Sequence, residues 1–245
     1  MKFKNKILIS ILLILFLTIG VASAAEDFTS ANSNVATVDN STFFNYFDES
    51  GYLKESVSQN TLIFKGEFSN LNVEYMEINS PITLKGEGAV LTNMGIHLVE
   101  GSSNSQINGF TINTNKTNGI WLSNTANNII SDCTVNVYAS GVFALAIVYS
   151  DYNVIDNCNI YEKGSSVVVL GGSNYNTISN SEISSGASNI LYICEYSFAD
   201  YKGDKSPGKE NNFINNIVTG VSSVWLCGSC SCGISIGIGC GLCIS

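Results

Sequence analysis

Near the C-terminus of this 245-residue chain, Cys227, Cys230, Cys240 and Cys243 stand in the spacing C-x2-C-x9-C-x2-C, with Cys232 between the pairs. Two such knuckles can hold Zn²⁺ or iron through thiolates. The flanking residues here are glycine, isoleucine and serine, without the basic or aromatic context of a zinc ribbon. Metal, disulfides and no specific role are all open readings of this tail, and the last is favoured. No cofactor is expected and no metal site is assigned.

A second chemistry would be glycan cleavage. A glycoside hydrolase needs two carboxyl groups at a defined separation across the scissile bond. The candidate acids are Asp132, Asp151, Asp156, Glu162 and Glu182. No two aspartates are adjacent, the chain has no arginine, and its one histidine is His97. His97 alternates with Ile96 and Leu98 in "GIHLVE", which reads as a surface-facing strand position. The acids read as solvated turn residues, so no catalytic residue is assigned and the chain is not expected to be an enzyme.

A third set suits binding. Tyr152 and Tyr175 each precede an asparagine and stand 23 residues apart, while Trp121, Tyr138, Tyr149 and Tyr161 lie on nearby segments. Aromatic faces are platforms for sugar rings and protein partners. Tyr152, Tyr175, Trp121 and Tyr161 are therefore the candidate binding residues, against the plainer reading that tyrosine simply suits strand edges.

What must position these residues is a repeat. Five segments align without gaps: "SQINGFTI" (105–112), "NIISDCTV" (128–135), "NVIDNCNI" (153–160), "NTISNSEI" (176–183) and "NFINNIVT" (212–219). Their starts are 23, 25, 23 and 36 residues apart, the last interval holding an insertion at 195–211 with Asp200, Asp204, Lys202, Lys205 and Lys209. "PITLKGEGAVL" (81–91), with Ile82 set 25 residues before Ile107, is a weaker earlier turn, and "TLIFKGEF" (61–68) an earlier one still. Within a unit the apolar period is two: Cys133, Val135 and Val137 alternate with Thr134 and Asn136. That is strand periodicity.

A repeat of about 23 residues with short strands fits one coil of a parallel β-helix, whose coils stack at the ~4.8 Å strand spacing. Ile107, Ile130, Ile155, Ile178 and Ile214 then form an inward aliphatic ladder. Asn128, Asn153, Asn176 and Asn212 stand at the corner before it, where turn chemistry is the favoured reading and amide-to-amide bonding the alternative. Tyr152 and Tyr175 should stack on one edge. Cys133 and Cys158 share an inward position that Phe110 precedes and Ser181 and Ile217 follow, which suits buried free thiols; Cys194 is solitary.

The expected organisation is a signal peptide at 1–25, a polar segment with a helical cap at 26–60, a β-helix of six or seven coils at 61–226, and the Cys/Gly-rich tail at 227–245. Lys2, Lys4 and Lys6 precede the apolar run Ile7 to Val21 and the small residues Ala22-Ser23-Ala24, a leader too short for a stable membrane span. Phe43, Phe44, Phe47 and Leu53 lie near helical spacing, with Gly51 as a stop. Residues 26–40 are polar and expected to be loose. The net charge of −9 becomes more negative once the leader and its three lysines are removed. Nucleic-acid binding is excluded as a class, because no basic patch can form.

The coil phrase N-x-I-x-[ND]-[CS]-x-[IV], following "PITLKGEGAVL" and a signal peptide, resembles the right-handed β-helix, pectin-lyase-like superfamily. More narrowly it resembles the adhesin-like surface proteins of methanogenic archaea. The resemblance implies an all-β, right-handed parallel β-helix and an exported, non-catalytic protein of the cell surface or secreted milieu. Its partner would be an extracellular glycan or surface protein, met on a lateral face. A polysaccharide lyase or glycoside hydrolase of the same fold is the alternative it leaves.

Overall fold

The computed structural model describes residues 34–164, 166–186, 190–194, 210–220, 224–226 and 235–237. Each full coil contributes three short strands, and each strand pairs in parallel with the equivalent strand one coil away. The coil that opens at Gln106 runs through Gln106–Asn108, Thr111–Thr114 and Ile120–Ser123. These pair with Ile129–Ser131, Thr134–Val137 and Leu145–Val148 of the next coil. The result is a parallel β-solenoid of about seven coils with a nine-stranded first sheet and two seven-stranded sheets. In chain order within a coil these are called the first, second and third sheets. Among the described residues no helix is long and apolar enough to cross a membrane.

The strands are short because left-handed residues end them. Asp132, Asn157, Asn180 and Asn215 close successive strands of the first sheet with φ of 55°, 52°, 51° and 55°. Asn and Asp tolerate this region better than other side chains, and each such corner turns the chain into the second sheet. Between corners, alternation sends every second side chain inward.

The inward column of the first sheet is Leu62, Leu84, Ile107, Ile130, Ile155, Ile178 and Phe213, all buried. Each fully buried aliphatic side chain here is worth about 1.5–3 kcal/mol. In the earlier turn at 81–91 the residue paired with Ile107 is Leu84 rather than Ile82. One expected member is corrected: Phe213, not Ile214, pairs with Ile178, and Ile214 is 41% exposed. The last coil is therefore offset by one residue from the expected alignment, so that Asn211 takes the corner position assigned to Asn212. A one-residue slip reverses the facing of every side chain, and the larger apolar residue, Phe213, takes the interior.

The corner asparagines do more than turn the chain. Asn128, Asn153, Asn176 and Asn211 are all at most 2% exposed. Asn153 Oδ1 accepts from the backbone N–H of Asn128 at 3.0 Å and from its side-chain amide at 2.9 Å. The same pair of bonds joins Asn153 to Asn176 and Asn176 to Asn211. Ser105 heads the column, its N–H donating to Asn128 Oδ1 and its hydroxyl accepting from the Ile82 N–H. A buried amide is tolerated because every coil satisfies the one beside it.

The N-terminal part differs from expectation. Val35–Val38, inside the segment expected to be loose, is a strand paired with Thr61–Phe64, so the first sheet begins there rather than at 61. The cap holds a single helical turn, Phe43–Tyr46. Asp48 ends it: its carboxylate accepts the N–H groups of Ser50 and Tyr52 at 2.9 Å, a local turn that competes with helix. Gly51 follows at φ 90°, where a Cβ would stand 2.1 Å from Tyr75 O. Phe43 and Phe47 stack at 4.7 Å and pack on Phe68 and Phe64, covering the open end of the core.

Candidate functional site

Two outward-facing arrangements stand out. The first is the corner between the third and first sheets, just before the asparagine column. Its residues adopt left-handed backbone in coil after coil: Asn104 at φ 70°, Asn127 at 57°, Tyr152 at 58°, Tyr175 at 58° and Glu210 at 54°. Asparagine suits that region, whereas a bulky aromatic there is an outlier costing of order 1 kcal/mol. The Tyr152 and Tyr175 rings stack at 4.8 Å and 7°, as the 23-residue spacing led one to expect, and are 54% and 41% exposed. Beside them, Asp151 Oδ1 accepts from the Asn174 N–H at 2.6 Å and from its side-chain amide at 3.1 Å.

Trp121 and Tyr161 do not join this edge. Tyr161 lies in the second sheet with its ring 5.9 Å from Tyr138. Trp121 lies in the third sheet, where it helps build the second arrangement. The Trp121 and His97 rings stack at 3.9 Å and 6°, and Tyr75 meets both edge-on at 6.0 and 5.6 Å. Glu77, His97 and Trp121 are one column across three coils.

His97 is thus not the surface-facing residue expected from its strand. It faces outward, but the rings from neighbouring coils leave it 8% exposed. Its Nδ1 lies 2.8 Å from Glu77 Oε2 and its Nε2 lies 2.8 Å from Ser123 Oγ. The Glu77 contact is short but off the N–H axis, so it is an electrostatic contact rather than a linear hydrogen bond. The Tyr75 hydroxyl accepts from the Asn118 N–H at 2.9 Å, and burial pushes that phenol above its ordinary range. Gly95 makes room for the ring, since a Cβ there would stand 2.9 Å from it and 2.3 Å from Asn118 O. Glu77, Tyr75 and Ser123 were not singled out from sequence. The only signal is a column whose members are 20 and 24 residues apart, an irregular spacing that hides it.

The family model described as "Right handed beta helix region" matches residues 94–242, more than half of the chain. The chain belongs to the right-handed β-helix family. Among curated proteins none matches it.

On this β-helix the candidate acids occupy separate hydrogen-bond networks. Asp132 accepts from the side-chain amides of Asn108 and Asn157, at 2.6 Å each. Asp156 accepts from the Ser179 hydroxyl at 2.6 Å and the Asn180 amide at 2.7 Å. Glu182 is exposed on the second sheet. Glu162 is corrected: it is fully buried, not solvated, and its Oε1 accepts from the Gly164 N–H at 2.8 Å. Among the described residues no group of three or more His, Cys, Asp or Glu could hold a metal ion.

Cys133 and Cys158 are buried free thiols in one column of the β-helix. The neighbouring Cys158 thiol and burial raise Cys133 well above its ordinary range, and the nearby Cys133 thiol lowers Cys158, while the thiols themselves donate to Ser131 O at 3.2 Å and Asp156 O at 3.3 Å. The residue following Ser181 in this column is Asn216, not Ile217: the Ser181 N–H donates to Asn216 Oδ1 at 2.9 Å, and Ile217 is 63% exposed. The leader at 1–25, most of the 195–211 insertion, and the five tail cysteines lie outside the described residues.

Proposed function

We propose that this β-helix is an exported, adhesin-like surface protein that binds an extracellular glycan through the edge formed by Tyr152 and Tyr175. The observation that carries the reading is the choice of tyrosine at two successive left-handed corners where the two preceding coils have asparagine and the following coil has Glu210. Backbone strain kept at an exposed position is the mark of a residue held for contact rather than folding. The paired rings offer apolar area, and Asp151 and Asn174 supply polar groups beside them. A surface protein partner is the other occupant such an edge suits.

The reading assigns no cleavage of the glycan chain, because the coil acids engage separate partners rather than converging on one bond. The leader at 1–25 assigns the protein to the cell surface or the secreted fraction, with the mature chain starting near Ala25 or Glu26. A glycan array, read for both binding and breakdown, tests the function. The Tyr152→Ala/Tyr175→Ala double variant should lose about five- to a hundredfold in binding, at ~0.5–1.5 kcal/mol per ring. Unchanged binding would remove the tyrosine edge from the site. Depolymerisation that Asp156→Asn abolishes at unchanged stability would replace it with a lyase or hydrolase.

A further inference from the structure

We propose that Ser123, His97 and Glu77 form an acyl-transfer centre on the third sheet, one that hydrolyses small, exposed oxygen esters. The three side chains come from three successive coils and face outward together. His97 Nε2 is 2.8 Å from Ser123 Oγ, and His97 Nδ1 is 2.8 Å from Glu77 Oε2. This is the order nucleophile, base and acid that activates a serine. The carboxylate beside Nδ1 selects the tautomer protonated there, which leaves Nε2 to accept the serine proton.

The surroundings fit the role. The Trp121 ring lies flat on the imidazole at 3.9 Å, so the base cannot swing away from Ser123. The side chains of His97 and Glu77 are only 10% and 14% exposed, which strengthens the electrostatic contact between the carboxylate and the ring. Ser123 is more open, as a nucleophile must be. On the next coil, Ala146 and Val148 pair with Trp121 and Ser123 and are buried, giving the centre an apolar border. Asn124 follows Ser123 at φ 53°, exposed, and its side-chain amide is the donor we assign to the oxyanion.

The chemistry closes without a further reactant except water. Ser123 Oγ bonds to the ester carbonyl carbon while its proton passes to His97 Nε2. The carbon–oxygen bond to the alcohol then breaks, and the alkoxide leaves with that proton. Water, deprotonated by His97, attacks the acyl-serine and releases the carboxylic acid, and the proton returns to Ser123. Glu77 is a positioning residue that stabilises the imidazolium in both halves. The outward face carries this centre on open sheet rather than in a deep cleft, so the substrate class is a short acyl ester, such as an acetylated hydroxyl. The inference does not rest on glycan binding at the tyrosine edge.

The test uses the full chain with a fluorophosphonate probe and with p-nitrophenyl acetate. Mass spectrometry should find the phosphonate on Ser123. Ser123→Ala should remove the label and lower ester turnover about a hundredfold or more, with the melting temperature unchanged. Glu77→Gln should lower kcat while leaving KM and the folded fraction unchanged. Tyr152→Ala/Tyr175→Ala should leave turnover of this small ester intact, which separates failure of this centre from failure of the glycan-binding edge. No label on Ser123, or turnover equal in Ser123→Ala and the parent protein, overturns the proposal.

Discussion

The side-chain amide of Asn153 donates to Oδ1 of Asn176 at 3.0 Å, in an interior position where both residues are at most 1% exposed. Each asparagine below Ser105 is both donor and acceptor, so losing one amide breaks the links on both sides of it. Asn153→Ala would orphan the Asn128 backbone N–H and one of its two side-chain N–H groups, the other staying on Thr125 Oγ1, for a loss of about 2–4 kcal/mol. Asn159→Ala, at an exposed strand position, should cost within about 0.5 kcal/mol. Urea unfolding midpoints of the two variants check the contrast; equal midpoints would mean that the column is ordinary turn chemistry.

At Tyr152 two effects oppose each other. Replacement by Asn relieves about 1 kcal/mol of left-handed strain and removes a ring stack of ~0.5–1.5 kcal/mol. The net stability change of Tyr152→Asn should therefore lie within about 1 kcal/mol, while glycan binding falls severalfold. Thermal melting and array binding, measured on the same preparation, check both halves. A large loss of stability would make the tyrosine a structural residue.

Ile155 sits at 1% exposure between Ile130 and Ile178. Ile155→Asp places an unpaired charge in the core and should prevent folding, whereas Ile155→Val should cost about 0.5–1.5 kcal/mol. Circular dichroism across a thermal melt reads both. A folded, unshifted Asp variant would contradict the inward column.

Cys133 and Cys158 are buried, and their proximity favours the thiolate of Cys158 over that of Cys133. Both should resist maleimide in the folded protein. As urea is raised toward partial opening, Cys158 should be modified first, because the thiolate is the nucleophile. Peptide mapping after timed alkylation checks the order; rapid labelling of Cys133 in the native state would show that this column is open.

Much of the architecture was legible because strand periodicity and coil spacing are local. Alternation around Cys133, Val135 and Val137 assigns the interior without knowledge of any partner. The 23-residue interval between Tyr152 and Tyr175 was enough to place their rings together. Other features depend on which residue of one coil meets which of the next, and that varies with corner length. Phe213 and Ile214 are both apolar, so only the hydrogen-bond register decided which one turned inward. The strand Val35–Val38 is defined by its pairing with Thr61–Phe64 and has no repeat phrase of its own. His97 looks solvent-facing by alternation, yet Trp121 from the next coil lies over it and Glu77 and Ser123 close on its two nitrogens. By itself, then, the sequence determined the inward face of the first-sheet strands in the regular repeats from Ile107 to Ile178. Burial on the outer face, and the side chains that meet there, came only from the stacking of coils of unequal length.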